Sequence, residues 1–430
     1  MLRREPPRAV AAARATAGAA TAEHSPPCRP AVPPRFKRRE QACLNPRPPA
    51  RALPRLLWPR LQPCSRRSCC TPSPLTSPMA MAVAPQRAQA RGSLTRKTGT
   101  VDGLTAAEVA TIDRKNRSYV PPPAYAAADA AGDVDAPHPP PPPLLSAFVM
   151  AVAGAAGKAL FATASATNGL HVYRRDALLT AVTDRPPGTG LLTVSNHKSV
   201  LDDPLLLGAL LPWSLLTDPS RMRWGLCAVD ICWQGRAAAA VLTAGKVLPI
   251  VRRGGLGQPE LTRYAALLGR GDWLHVFPEG RVSQEGMTYA RHGLGKMVVA
   301  AMEAAPPGSP PPLLLPIYHE GVERVMPQEA ATHELLSVAP RLGQTAYVMV
   351  GEAVDLVPAL ARGAGCFAAR AVAARALPPG APLPDPPECM ALYADVCTAA
   401  STALRLLRAR LRATVAEEEG VDLGDPYEVS

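Results

Sequence analysis

A histidine and an aspartate five residues apart, His197 and Asp202, stand in the stretch VSNHKSVLDDP, Val194 to Pro204. Such a pair can act as a general base, the carboxylate holding one ring nitrogen while the other takes a proton. On a continuous helix, five residues turn the chain by about 500° and leave the two side chains roughly 140° apart. The flanking residues argue instead for a loop. LLTV ahead of the pair reads as a short strand, and Asp203-Pro204 reads as a helix N-cap followed by proline at the first helical position. A strand-to-helix loop lets His197 and Asp202 fold back onto each other, with Asp203 and Pro204 as structural residues beside them.

Three other clusters follow apolar, strand-like runs. GKVLPIVRR delivers Arg252 and Arg253 to the end of a strand, where an arginine can clamp a phosphate through two parallel hydrogen bonds. DWLHVFPEGRVS runs into a Pro278-Glu279-Gly280-Arg281 turn, in which proline sets the turn, Gly280 allows close backbone approach and Glu279 is displayed beside Arg281. In LLLPIYHEG, Pro316 interrupts an apolar strand, which suggests a strand edge or a bulge.

The elements that must position these groups alternate along the chain. From Leu191 onward short apolar runs (LLTV, KVLPIV, WLHVF, LLLPIY, TAYVMV) are interleaved with helical patterns, including Pro259 to Leu268 and GLGKMVVAAMEA. This alternation predicts an α/β fold with a mixed, largely parallel sheet flanked by helices. A long helix follows from Glu388 to about Glu419, with Leu404, Leu407 and Leu411 on an apolar stripe. Upstream, Leu144 to Ala166 is apolar apart from Lys158 but rich in Ala, Gly and Ser, so it reads as an interfacial membrane anchor rather than a spanning helix. Leu104 to Tyr119 allows a short helix capped at Thr105.

The organisation expected is a basic leader over 1–100, a short helix and Pro-rich linker over 101–143, the anchor over 144–166, the main domain over 167–385, and a C-terminal helix and tail over 386–430. The leader holds 19 Lys and Arg against Glu5, Glu23 and Glu40, an excess of 16, so a net charge of +12 leaves the other 330 residues at −4. Basicity therefore belongs to the leader and argues for no nucleic-acid partner of the core. An Arg-rich, acid-poor leader fits organelle targeting, mitochondrial or chloroplast; a disordered tail and a true start at Met79 or Met81 are the competing readings. Five of the ten cysteines lie in the leader. The others, Cys227, Cys232, Cys366, Cys389 and Cys397, lack metal-ligand spacing, and a free cysteine in an apolar run acts as a small hydrophobe; neither a disulfide nor a zinc site is expected.

HKSVLD fits the H-x4-D motif of the glycerophospholipid acyltransferases, and GKVLPIVR, FPEGR and LLLPIY resemble that family's second, third and fourth blocks in the right order. The resemblance covers about Leu144 to Val357. It implies acyl transfer between glycerophospholipid and lysophospholipid substrates at a bilayer, with His197 and Asp202 catalytic and Arg252, Glu279, Gly280 and Arg281 binding substrate. Pro278 and Pro316 would shape the site. No cofactor or metal is implied, and oligomeric state is left open. An acyl-CoA- or acyl-carrier-protein-dependent lysophospholipid acyltransferase is the alternative chemistry, and an inactive membrane-binding protein on the same fold is the alternative class.

Overall fold

The computed structural model describes residues 106–119, 140–162, 168–284, 289–329, 332–377 and 383–424. The basic leader lies outside the described residues. The first helix is α1 (Ala106–Arg117), followed by the apolar α2 (Pro143–Leu160). Then come β1 (Gly169–Tyr173), α3 (Arg175–Thr183) and β2 (Leu191–Ser195). After the His197 loop, a wide turn over Asp202–Leu206 leads into α4 (Leu207–Leu210) and α5 (Trp213–Leu216). The chain continues through β3 (Gly225–Ala228), α6 (Arg236–Ala244), β4 (Val247–Ile250), α7 (Pro259–Gly269) and β5 (Trp273–Val276). It closes with α8 (Gly293–Ala304), β6 (Leu313–Glu320), α9 (Val322–Val325), β7 (Thr345–Val350), α10 (Val357–Arg362), α11 (Ala364–Ala376) and α12 (Pro387–Glu418).

Five strands form one sheet in the order β1-β7-β6-β2-β5, with β6–β7 the antiparallel pair and the other neighbours parallel. β3 and β4 pair in parallel beside it. Trp224, just ahead of β3, bridges Leu274 of β5, so the two sheets are continuous through that contact. Both faces are covered. Leu192, Val194, Leu274, Leu314, Tyr318, Tyr347 and Met349 pack with α7, α8 and α12 on one side. Leu191, Trp273, Leu315, Ile317, Ala346, Val348 and Val350 pack with α3 and the segment 201–216 on the other. Successive strand residues point to opposite faces, and when both are buried a strand reads as an unbroken apolar run. That is why LLTV, WLHV and LLLPIY are legible as strands.

α2 is anchored to this body. The Lys158 ammonium donates to the carbonyls of Ala209 (3.2 Å) and Leu211 (2.6 Å). Gly157 is buried where a Cβ would fall 2.1 Å from the Leu205 carbonyl oxygen. Glycine is what lets the helix and the turn touch backbone to backbone. The opposite side of α2 leaves Leu144, Leu145, Phe148 and Val152 exposed.

Pro316 sits in β6, an inner strand, so it marks no edge; between its bond to Gly351 and the Leu314–Val354 bridge, a two-residue step along β6 faces a three-residue step after β7, which is the bulge alternative. Its carbonyl accepts the Gly351 N–H, and Leu314 accepts from Val354, so the flank lacking an N–H faces the loop after β7, where no ladder bond is lost. The expectation of no disulfide needs correction, because the cysteines pair: Cys227 with Cys232, and Cys366 with Cys389, leaving Cys397 a buried thiol. Cys366 and Cys389 are 23 residues apart but meet because α11 doubles back against the start of α12, with a Cα–Cα distance of 4.5 Å. Sequence spacing carries no trace of that juxtaposition.

Candidate active site

The groups singled out from sequence converge at the carboxyl ends of parallel strands, where α/β sheets gather their ligand sites. His197 follows β2, the Pro278-to-Arg281 turn follows β5, and Arg252 follows β4. A cavity of about 760 Å³ opens there, lined by His197, Arg252, Gly280 and Arg281, and by Val149, Met150, Ala153 and Gly154 of α2. Its walls are mainly aliphatic, with Leu207, Leu226, Val241, Val276 and Met297 among them.

His197 and Asp202 do meet. Nδ1 of His197 lies 3.0 Å from Oδ2 of Asp202. An ionised carboxylate only accepts, so Nδ1 carries a proton, and in the neutral ring Nε2 then holds the lone pair. The ring is stacked on Phe277, with centroids 3.8 Å apart and planes 11° apart. Its backbone is clamped by the loop after β5: the His197 N–H donates to Oε1 of Glu279 (3.1 Å), and its carbonyl accepts the Ser283 N–H (2.7 Å). Asp202 is buried, and its Oδ2 also accepts the N–H groups of Lys198 (2.7 Å) and Ser199 (2.9 Å). Burial pushes the Asp202 carboxyl upward, but the nearby His319, hydrogen bonds from His197 and His319, and the charge of His197 outweigh it. Together they hold Asp202 well below the usual carboxylate range. The result is an ionised carboxylate aimed at Nδ1 of an imidazole that lines the cavity.

The other predicted residues occupy more specific places. Asp203 does not cap a helix. No side-chain cap bond is made there, its own backbone is extended (φ −138°, ψ 122°), and its carboxylate is ion-paired with Arg223, both largely buried. The Asp-Pro order misled because the chain enters the turn at Asp202 with Asp203 directed sideways. Pro204 and Pro278 line the cavity, and the Pro278 carbonyl accepts the Arg291 N–H. Glu279 is buried and faces the His197 backbone, which makes it a clamp on the loop. Gly280 has φ +72°, and a Cβ there would fall 2.9 Å from Nε of Arg291. Arg252 donates to Oδ1 of Asp230 (2.9 Å) and is ion-paired with that residue. Arg281 lines the cavity without a hydrogen bond or ion pair to a described residue.

Sequence reading passed over several neighbours. Phe277 is legible only as a strand end, and the spacing of Arg223 and Asp230 does not reveal their partners, which come from distant loops. His275 lies under the site between Thr193 Oγ1 (2.8 Å) and Ser195 Oγ (3.4 Å), where burial lowers its pKa to about 4 and keeps it neutral. His319 does carry a signal, a histidine near the end of a strand that is otherwise apolar and buried.

A family model described as Acyltransferase matches residues 178–320. The span begins in α3, ends with β6 and contains His197, Asp202, Arg252 and the Pro278-to-Arg281 turn, though not the cavity-lining residues of α2. These residues form an acyltransferase domain. The chain is similar to an N-acylphosphatidylethanolamine synthase of Arabidopsis thaliana, 38% identical over 194 residues, covering 45% of this chain and 66% of that one. It is also similar to the tafazzin of Drosophila melanogaster, 32% identical with 43% and 46% covered, and to that of Saccharomyces cerevisiae, 28% identical with 39% and 51% covered. The matched segment thus spans between about half and two thirds of these relatives.

Proposed function

We propose that this protein is a membrane-bound phospholipid–lysophospholipid transacylase that remodels the acyl chains of glycerophospholipids, cardiolipin among them. One observation carries the reading: Nδ1 of His197 is held by an ionised Asp202 while the ring lines an apolar cavity large enough for acyl chains. His197 takes the proton from the free hydroxyl of a lysophospholipid. The hydroxyl oxygen attacks the ester carbonyl of a second lipid, and the imidazolium returns its proton to the departing glycerol oxygen. Asp202 balances the imidazolium charge meanwhile. Arg281, with Arg252 behind it, offers the positive charge for the lipid phosphate, and Gly280 keeps that approach clear. A general base contributes about 10²- to 10⁴-fold, so positioning by the cavity supplies much of the remainder.

The acyl group comes from another lipid, so no soluble cofactor is needed. The similarity to tafazzins and the acid-poor leader support a mitochondrial membrane as the location. The Arabidopsis relative's name favours a second reading, in which the acceptor is the amine of phosphatidylethanolamine and the same histidine accepts its proton. Purified protein is given labelled phosphatidylcholine with lysocardiolipin or with phosphatidylethanolamine, with and without acyl-CoA. Ester transfer without thioester is the expected result and should vanish in His197→Ala. Transfer only on adding acyl-CoA would replace the transacylase reading with the thioester-dependent one, and amide product would establish the second acceptor.

A further inference from the structure

His319 belongs to none of the roles above, yet it faces the same carboxylate as His197. It is 2% exposed, near the end of β6, with Nε2 3.1 Å from the Asn196 carbonyl oxygen and 3.5 Å from Oδ2 of Asp202. Both neighbours of Nε2 are acceptors, so this nitrogen carries a proton and His319 donates. Its backbone is fixed independently of the ring. The Asn196 side chain donates to the His319 carbonyl (2.8 Å) and accepts from its N–H (3.0 Å), just beyond the last β2–β6 ladder pair, Ser195 and Ile317. Asn196 immediately precedes His197. One residue of the catalytic loop therefore sets the height of His319, and His319 in turn reaches the partner of His197.

We propose that His319 is a positioning residue of this site, its Nε2–H holding Asp202 from a second side so that Oδ2 stays directed at His197. The inference rests on the acyl-transfer reading. A single carboxylate oxygen here gathers donors from two ring nitrogens and two backbone amides, and only the His197 bond is needed for proton transfer. The amides of Lys198 and Ser199 belong to the loop itself and move with it, whereas His319 ties Asp202 to the sheet. The same donor favours the ionised carboxylate, and Asp202 reciprocally raises the pKa of His319 against the lowering effect of burial. Misplacing a reacting group by about 1 Å can cost about 100-fold in rate.

Three variants test this in the thioester-free assay, beside His197→Ala. In His319→Gln the amide nitrogen reaches the place of Nε2; in His319→Asn it stops near Nδ1; in His319→Leu no donor remains. Expected is a kcat lower by up to about 100-fold for Leu and Asn, with KM within about twofold, and recovery of most activity in Gln. A folded Leu or Asn variant with wild-type kcat overturns the proposal, as does a Gln variant no better than Asn. Should Leu fail to fold, the Gln–Asn contrast decides, since both are polar and differ only in reach. Activity surviving in His197→Ala would overturn the acyl-transfer reading itself, whereas an inactive His197→Ala beside a fully active Asn variant would overturn this inference alone.

Discussion

Arg252 and Arg281 reach the cavity from different strand ends and do so in different electrostatic states. Arg252 is committed to Asp230, whose side chain is buried, so its charge is already offset before any substrate arrives. Arg281 lines the wall with no hydrogen bond or ion pair to a described residue. An anionic headgroup therefore gains more from Arg281, while Arg252 chiefly shapes the rim. Arg281→Ala should raise KM for a phospholipid acceptor about 5- to 20-fold, about 1 to 2 kcal/mol for one charge-assisted contact, with kcat changed less than threefold. Steady-state kinetics on the folded variant checks this; an unchanged KM would move the phosphate contact elsewhere. At this scale the sequence was informative about residue type and less so about partners. His197 and Asp202 are five residues apart, so local geometry alone brought them together. Arg252 and Asp230 are 22 apart, Arg223 and Asp203 are 20 apart, and neither pairing could be read without the sheet that aligns their loops.

Elements were legible where burial imposes a pattern. The inner strands are covered on both faces and so appear as continuous apolar runs, and α7, α8 and α12 show the stripe that packs on them. Contacts between elements leave no such trace, and the Cys366–Cys389 bond is the clearest case. It ties the start of α11 to the start of α12, the long helix whose Leu392, Val396, Leu404 and Leu411 are buried in the core. Closing a loop of this length restricts the unfolded chain by about 3 kcal/mol. For a chain of this size that corresponds to roughly 5 to 10 °C in Tm. Cys366→Ala/Cys389→Ala should melt lower by that amount, and a reductant should bring the wild type down to match. A Cys227→Ala/Cys232→Ala variant should lose less, because its bond closes a separation of only 5 residues. Identical melting of wild type with and without reductant would mean that the thiols are unpaired in the protein.

Across the whole molecule, the exposed apolar side chains are not scattered evenly about the cavity. Val200, Ile231 and Val241 line it and are also exposed, which places them at its mouth. α2 contributes one flank to the cavity through Met150 and Gly154 and exposes Leu144, Phe148 and Val152 on another. Among the described residues it is the helix long and apolar enough to cross a bilayer, yet Lys158 and Gly157 hold it against the protein body. A helix fixed in this way suits shallow insertion, carrying the mouth of the cavity to the level of the lipid headgroups. Under the proposed transacylase function, substrates would enter from the bilayer without crossing water. Phe148→Asp together with Val152→Asp should therefore weaken binding to phospholipid vesicles at least tenfold in a flotation assay, since two buried apolar side chains contribute about 1.5 to 3 kcal/mol each. Activity toward short-chain lipids dispersed in detergent should remain within about twofold, because neither side chain lines the cavity. Unchanged flotation would show that another surface meets the membrane. Loss of activity in detergent as well would mean that α2 holds the cavity in shape, so that its exposed face and its lining face act as one.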